Sequence, residues 1–292
     1  MAKTIRVSVT VTADPSQAFE TYTDPEQMIC WLCEGAAIDL DNGAFALWGS
    51  SIPGVPEGND GNMHLVDAVP DRRLEVAWKL LDDDTTFTVT FEPQGDATKV
   101  GFEHTGIEDN DWAWTVGSFW ATQAENFRAW IERGVAGPRF DYRTLAPGDI
   151  EVSAEIDAPA GEVFKALIDP EMVGQWMMSD NVTIEPEVGG SYDLAGWDQD
   201  GPVKIVDLDP DEKLSYSWHS DWVGHETLVT WELAESAGKT RLTLVHSGFA
   251  PDARHDSYRT GWLGFLVQIK YLVEEGPDRS PVDWEIIDAV AV

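Results

Sequence analysis

Two histidines stand at positions where acid–base chemistry is conceivable. His104 opens His104-Thr105-Gly106, and His246 opens His246-Ser247-Gly248. An imidazole titrates near neutral pH, so each could move a proton or hydrogen-bond a ligand's polar head. A catalytic pair would also need a carboxylate, and none is common to both places: Glu103 precedes one histidine and Val245 the other. The competing role is a strand-end histidine satisfied by backbone. Cys30 and Cys33 form a C-x-x-C. A redox motif needs a βαβ setting and a zinc site needs two more ligands, so these thiols read as structural. His219, Asp221 and His225 lie close in sequence. His225-Glu226-Thr227-Leu228-Val229 lacks the second histidine of H-E-x-x-H, which favours an ordinary polar loop. There is no G-x-S-x-G, no P-loop and no G-x-G-x-x-G, and Gly189-Gly190 reads as a strand-turn pair. No catalytic residue, metal or cofactor is expected.

Tryptophan is the more informative residue. The chain has 14, and several recur in pairs: Trp31 with Trp176, Trp78 with Trp218, Trp120 with Trp262. Such rings either fill a core or line a cavity that stacks on flat apolar ligands. The candidate lining is Trp31, Trp78, His104, Trp112, Phe119 and Trp120 in the first half of the chain. In the second half it is Trp176, Trp218, His246, Trp262 and Phe265. Trp112, Trp114, Phe119 and Trp120 are spaced too broadly for one helix face, which suggests a cavity mouth.

The elements that position these residues occur twice. Residues 7–31, VSVTVTADPSQAFETYTDPEQMICW, align without a gap on 152–176, VSAEIDAPAGEVFKALIDPEMVGQW. Further matches keep the same order, through Trp78 and Trp218 to Glu132-Arg133-Gly134 and Glu274-Glu275-Gly276. A repeat this long is a whole domain. Copies are expected at 1–143 and 148–292, joined by a stretch containing Pro138 and Pro147. Each begins with period-2 alternation, Ile5 to Val11 in the first, which predicts a half-buried strand. Asp14-Pro15 and Asp24-Pro25-Glu26 are helix starts, a capping acid followed by proline at the first helical position. Strands follow near 43–48, 62–69, 73–80, 85–93 and 98–105, an antiparallel meander. A long helix ends each copy, with Val116, Trp120, Ala124, Phe127 and Ile131 at helical spacing in the first. An α+β helix-grip fold is expected, a curved antiparallel sheet wrapped around a long C-terminal helix, duplicated in tandem.

The motifs carry a resemblance. Ala158-Pro159-x-x-x-Val163-Phe164, Asp169-Pro170-Glu171 with Trp176, Gly189-Gly190-Ser191-Tyr192, Val206-Asp207-x-x-Pro210 and Gly261-Trp262 are together similar to the SRPBCC or START-like (birch-pollen-allergen-like) superfamily. Within it the chain most resembles the heat-shock-protein-90 ATPase activator-like domain, over about residues 5–134 and 150–276. The first copy carries weaker versions, with Asp14-Pro15 and a single Gly43. The resemblance implies a helix-grip fold with a cavity for a small hydrophobic or amphipathic ligand. It also brings two other roles, a chaperone-associated interaction module and a cyclase- or hydrolase-type enzyme.

Charge narrows the partners. With 53 acidic and 19 basic residues the net charge is −34, so nucleic acid and anionic membrane faces are not expected as partners. The acid is dispersed rather than gathered in a tail, which suggests a protein adapted to high salt, where self-repulsion is screened. No apolar run is long enough for a membrane span. The N-terminal residues lack a secretory signal, so a cytoplasmic location is expected.

Overall fold

The structure, a computed structural model, describes residues 2–54, 61–194, 203–219, 223–279 and 281–289. The chain divides into two compact units, residues 1–145 together with 280–292, and residues 146–279.

Unit 1 opens with β1 (Lys3–Val11), in which Ile5, Val7, Val9 and Val11 are buried and Arg6 and Ser8 face outward. Its helix starts are built as the sequence implies. Asp14 accepts from the Gln17 amide at 2.9 Å and opens α1 (Pro15–Thr23). Asp24 accepts from the Glu26 amide at 2.8 Å and opens α2 (Pro25–Trp31). A two-stranded hairpin follows, β2 (Gly35–Asp39) and β3 (Ala44–Trp48), and then the meander β4 (Met63–Val69), β5 (Arg73–Leu80), β6 (Asp83–Gln94) and β7 (Ala97–Ile107). The long helix α3 (Asp111–Arg133) is capped by Asn110, which accepts from the Trp112 amide at 2.8 Å. It stops at Gly134, whose φ of +66° is the left-handed ending that favours glycine.

Unit 2 repeats the plan. It runs β8 (Ile150–Ile156), α4 (Ala160–Ile168), α5 (Pro170–Met177), β9 (Thr183–Ile184), β10 (Tyr192–Asp193), β11 (Ile205–Asp209), β12 (Lys213–Trp218), β13 (Thr227–Ser236), β14 (Lys239–Ser247) and α6 (Asp256–Glu275). The turns between β4 and β5 and between β11 and β12 are both Pro-Asp. Asp71 and Asp211 take positive φ, 60° and 67°, a conformation aspartate tolerates better than most residues. The unit 2 sheet has the order β11-β12-β13-β14-β8, antiparallel throughout. The helix-grip fold is therefore present twice. In both units the apolar face of the sheet is covered by the long helix, through Val116, Trp120, Ala124 and Phe127 in α3 and Trp262, Leu266, Ile269 and Leu272 in α6.

One segment departs from the expected assignment of 148–292 to the second copy. The last strand, β15 (Asp283–Asp288), belongs to unit 1 and pairs antiparallel with β1, Val7 opposite Trp284 and Ile5 opposite Ile286. The unit 1 sheet becomes β15-β1-β7-β6-β5-β4. The cause is local: Trp284 and Ile286 share one face of the strand, and Trp284 meets Trp114 edge-on at 5.9 Å. Gly117 lets Trp284 approach α3, since a Cβ there would lie 2.8 Å from the indole. Truncation after Arg279 is expected to lower the stability of unit 1 by about 3 kcal/mol, from lost strand pairing and ring packing. Chemical denaturation of the truncated chain measures this, and an unchanged unit 1 transition would show that β15 contributes nothing.

Candidate functional site

The two histidines fall at the same place in the two sheets. His104 in β7 lies opposite Phe87, and His246 in β14 lies opposite Val229. Both are fully buried. In unit 1 the Trp120 indole N–H donates to His104 Nδ1 at 2.9 Å, and His104 Nε2 is 2.8 Å from Thr85 Oγ1. Thr85 Oγ1 in turn donates to the Trp78 carbonyl at 2.6 Å. In unit 2 the Trp262 N–H donates to His246 Nδ1 at 3.0 Å, His246 Nε2 is 2.8 Å from Thr227 Oγ1, and Thr227 donates to the Trp218 carbonyl at 3.3 Å.

This geometry sets the tautomer. An indole nitrogen only donates, so Nδ1 must be the unprotonated acceptor. The threonine spends its one hydrogen on a carbonyl, so Nε2 must carry the proton and donate. The relay runs in one direction, indole to imidazole to hydroxyl to carbonyl, with both imidazole nitrogens used. Burial pushes both imidazoles down from the ordinary 6.5 to about 3, with a smaller contribution from His255 at His246. Each ring is thus neutral at physiological pH, and a proton on Nδ1 would face an indole N–H. The sequence left open a ligand contact or a backbone-satisfied histidine. The partners are in fact two side chains, one from the gripping helix and one from the neighbouring strand. Thr85 and Thr227 were not singled out from the sequence, although they keep the same spacing to His104 and His246.

The remaining candidates are packed on one another. His104 stacks on Trp78 with ring centres 5.3 Å apart. Trp120 lies between Phe102 at 5.4 Å and Phe87 at 5.2 Å. Trp31 packs against Phe127 at 5.1 Å. Phe119 meets Trp120 at 4.9 Å and Trp78 at 6.4 Å. In unit 2 Trp176 meets Trp231 at 5.9 Å and Phe265 at 5.8 Å, and Trp262 meets Trp218 at 5.3 Å. Trp31, Trp78, Trp120, Trp176, Trp218 and Trp262 are all at most 3% exposed. Offset and edge-to-face aromatic pairs add about 0.5–1.5 kcal/mol each beyond their burial. Trp112, Trp114, Phe119 and Trp120 are spread around α3. Trp120 is in the core, Trp112 is half-buried, and Trp114 is 39% exposed beside Trp284.

The lesser candidates carry no reactive arrangement. Cys33 is buried, chiefly by which its thiol is pushed up to about 12, and Cys30 donates to the Glu26 carbonyl at 3.3 Å. A thiol so raised is a poor nucleophile. His225 contacts the Val223 and Gly248 carbonyls at 3.1 and 2.9 Å, His219 lies 3.1 Å from Glu226, and Asp221 lies outside the described residues. Among the described residues no three His, Cys, Asp or Glu side chains gather as metal ligands. No described helix is long and apolar enough to cross a membrane.

Several solved structures are similar to parts or most of the chain. A protein of Mesorhizobium loti is 26% identical over 44% of this chain and 97% of its own, with a TM-score of 0.39. A protein of the dynemicin biosynthetic locus is 16% identical over 92% of this chain and 98% of its own, with a TM-score of 0.37. An HSP90 activator from Plasmodium falciparum is 16% identical over 44% of this chain and 98% of its own, with a TM-score of 0.39. No curated protein matches the chain. The sequence pattern of the family described as "Activator of Hsp90 ATPase homolog 1-like protein" matches residues 12–134 and again 157–274, more than half of the chain. The protein therefore belongs to the family of activator of Hsp90 ATPase homolog 1-like proteins and carries two copies of its domain in tandem.

Proposed function

We propose that this chain acts by binding rather than by turnover, as a chaperone-associated module that engages an Hsp90-class ATPase. The observation that carries this reading is the pair of saturated imidazoles. In both units the histidine best placed for acid–base work has each nitrogen committed inside the core. The family to which the chain belongs supplies the class of partner. With a net charge of −34, the chain needs a basic patch on that partner, and the association should weaken as salt rises. The test is the ATPase rate of the purified Hsp90-class chaperone from the same organism, with and without the full chain, across a salt series. Binding together with a faster rate is expected. Absence of binding at every salt concentration, with the rate unchanged, overturns the reading.

A second reading, a small hydrophobic or amphipathic molecule held between sheet and helix, is favoured by one observation in unit 1. Tyr22 Oη, Trp31 Nε1, Trp78 Nε1 and Gln123 Oε1 are buried there without a hydrogen-bond partner among the described residues, and leaving such an atom unpaired costs about 1–3 kcal/mol.

A further inference from the structure

The outer face of the unit 1 sheet, turned away from α3, carries three rows of side chains that cross the strands. Residues directly opposite in an antiparallel pair share a face, so the register sets the rows. Their sequence neighbours Val7, Val89 and Phe102 are buried on the helix side. The first row is Thr88, Glu103, Arg6 and Glu285, on β6, β7, β1 and β15. The second is Thr90, Gly101, Ser8 and Asp283 on the same four strands. The third is Glu92, Lys99 and Thr10. The second row is the low one: Gly101 has no side chain and Ser8 a short one, while longer side chains stand on either side. A cleft of about 530 Å³ lies there, lined by residues of all three rows. Sites for small molecules have volumes of about 300–1,000 Å³.

Unit 2 differs at the places that make the cleft. Counting back from His104 and His246, Thr243 stands where unit 1 has Gly101, and it lies between Glu232 and Ser153. Val245 stands where unit 1 has Glu103. Among the described strands none pairs with β8 as β15 pairs with β1. The glycine keeps the cleft open, since a Cβ at position 101 would lie 2.7 Å from Thr90 Oγ1. That hydroxyl therefore leans over the glycine.

The cleft offers polar groups of both kinds. Arg6 is spent on Glu103 at 2.8 Å and on Glu285 at 3.5 Å. Among the described residues, the side chains of Ser8, Thr88, Thr90, Glu92, Lys99 and Asp283 have no hydrogen-bond or ion-pair partner. The open set is three hydroxyls, one ammonium and two carboxylates. An anion would meet both carboxylates on a chain of net charge −34, and a cation would meet Lys99. No aromatic or aliphatic side chain belongs to the three rows, so an apolar body finds no grip. A polyhydroxylated molecule uses the whole set. Each of its hydroxyls can donate to a carboxylate and accept from Lys99 or from a protein hydroxyl. Strands lie about 4.8 Å apart, so the row from Thr90 to Asp283 spans about 14 Å, the reach of a short chain of sugar rings.

We infer that the outer face of unit 1, and not that of unit 2, binds a short neutral oligosaccharide along the row Thr90, Gly101, Ser8 and Asp283. The site lies on the sheet face opposite the long helix and is independent of both readings above. It also gives the divergence of the two copies a physical meaning, since Gly101 against Thr243 separates an open row from a filled one.

The test uses the full 15N-labelled chain and four probes: maltotriose and cellotriose as neutral trisaccharides, trigalacturonate as an anionic one, and spermidine as a cation. At millimolar concentration a neutral trisaccharide should move the amide resonances of Ser8, Thr90 and Gly101 and leave that of Thr243 in place. Trigalacturonate and spermidine should leave all four in place. Gly101→Thr, which copies unit 2, should abolish the shifts while the far-ultraviolet dichroism stays native, because threonine suits a strand. Asp283→Asn, which keeps the shape and removes the charge, should weaken the trisaccharide by about tenfold, the loss of one charge-assisted hydrogen bond. Shifts that survive Gly101→Thr, or that Asp283→Asn leaves unchanged, would overturn the inference. So would spermidine moving these amides while neither neutral trisaccharide does, and so would silence with every probe.

Discussion

Replacing His246 by alanine lowers the stability of unit 2 by about 4 kcal/mol. Deleting a buried ring costs about 3–5 kcal/mol through lost contacts and the cavity left behind. The deletion also strands a buried indole N–H on Trp262, which has donated to Nδ1 at 3.0 Å. Thr227 loses its imidazole donor but keeps the Trp218 carbonyl. Thr227→Val, which keeps the shape and removes only the hydroxyl, should cost about 1–3 kcal/mol because Nε2–H is then unpaired. The two changes should not add, because the second removes a partner the first has already lost. Urea unfolding followed by tryptophan fluorescence gives the numbers, and His104→Ala with Thr85→Val repeats the experiment in unit 1. A loss under about 1 kcal/mol for either alanine variant would show that the relay is not part of the fold's foundation.

Stability also falls on mild acidification, before the carboxylates titrate. Each imidazole has a folded pKa depressed from 6.5 to about 3. Below pH 6.5 the unfolded chain takes up protons that the folded core refuses. Stability contributed by the neutral ring is therefore complete above that pH and is lost as pH falls toward 3. The slope is about 1.4 kcal/mol per pH unit for each histidine. Between pH 6 and pH 4 the two together remove roughly 5 kcal/mol. The acids with resolved shifts act lower. Asp207 is held down by Lys213 and Asp288 by Lys3, so their protonation costs stability only below the usual carboxylate range. Denaturation midpoints measured every half unit separate the two windows. His104→Gln should flatten the upper window by half, and a wild-type midpoint level from pH 7 to pH 4 would refute the assignment.

Much of the architecture was legible because its signals are local. Alternation from Ile5 to Val11 marks a half-buried strand whatever surrounds it. Asp14-Pro15 and Asp24-Pro25 carry their own capping chemistry, and both caps form. The duplication is visible because both copies must bury the same faces, so Trp31, Trp78 and Trp120 recur in order. What escaped the sequence depends on the third dimension. Thr85 and His104 are 19 residues apart and meet only through the register of β6 and β7. The strand Asp283–Asp288 alternates as a strand should, yet nothing within six residues says which sheet it joins. The histidines were found by repetition, but their role needed the indole and hydroxyl on either side.

His104 and His246 act as neutral structural links, each with both ring nitrogens bonded inside the core. A long-range 1H–15N spectrum of the imidazole nitrogens in the full chain tests it most directly. Both rings are expected to carry their proton on Nε2, and neither is expected to titrate from about pH 8 down to pH 4. Titration of either ring near 6.5, or a proton on Nδ1, would contradict it.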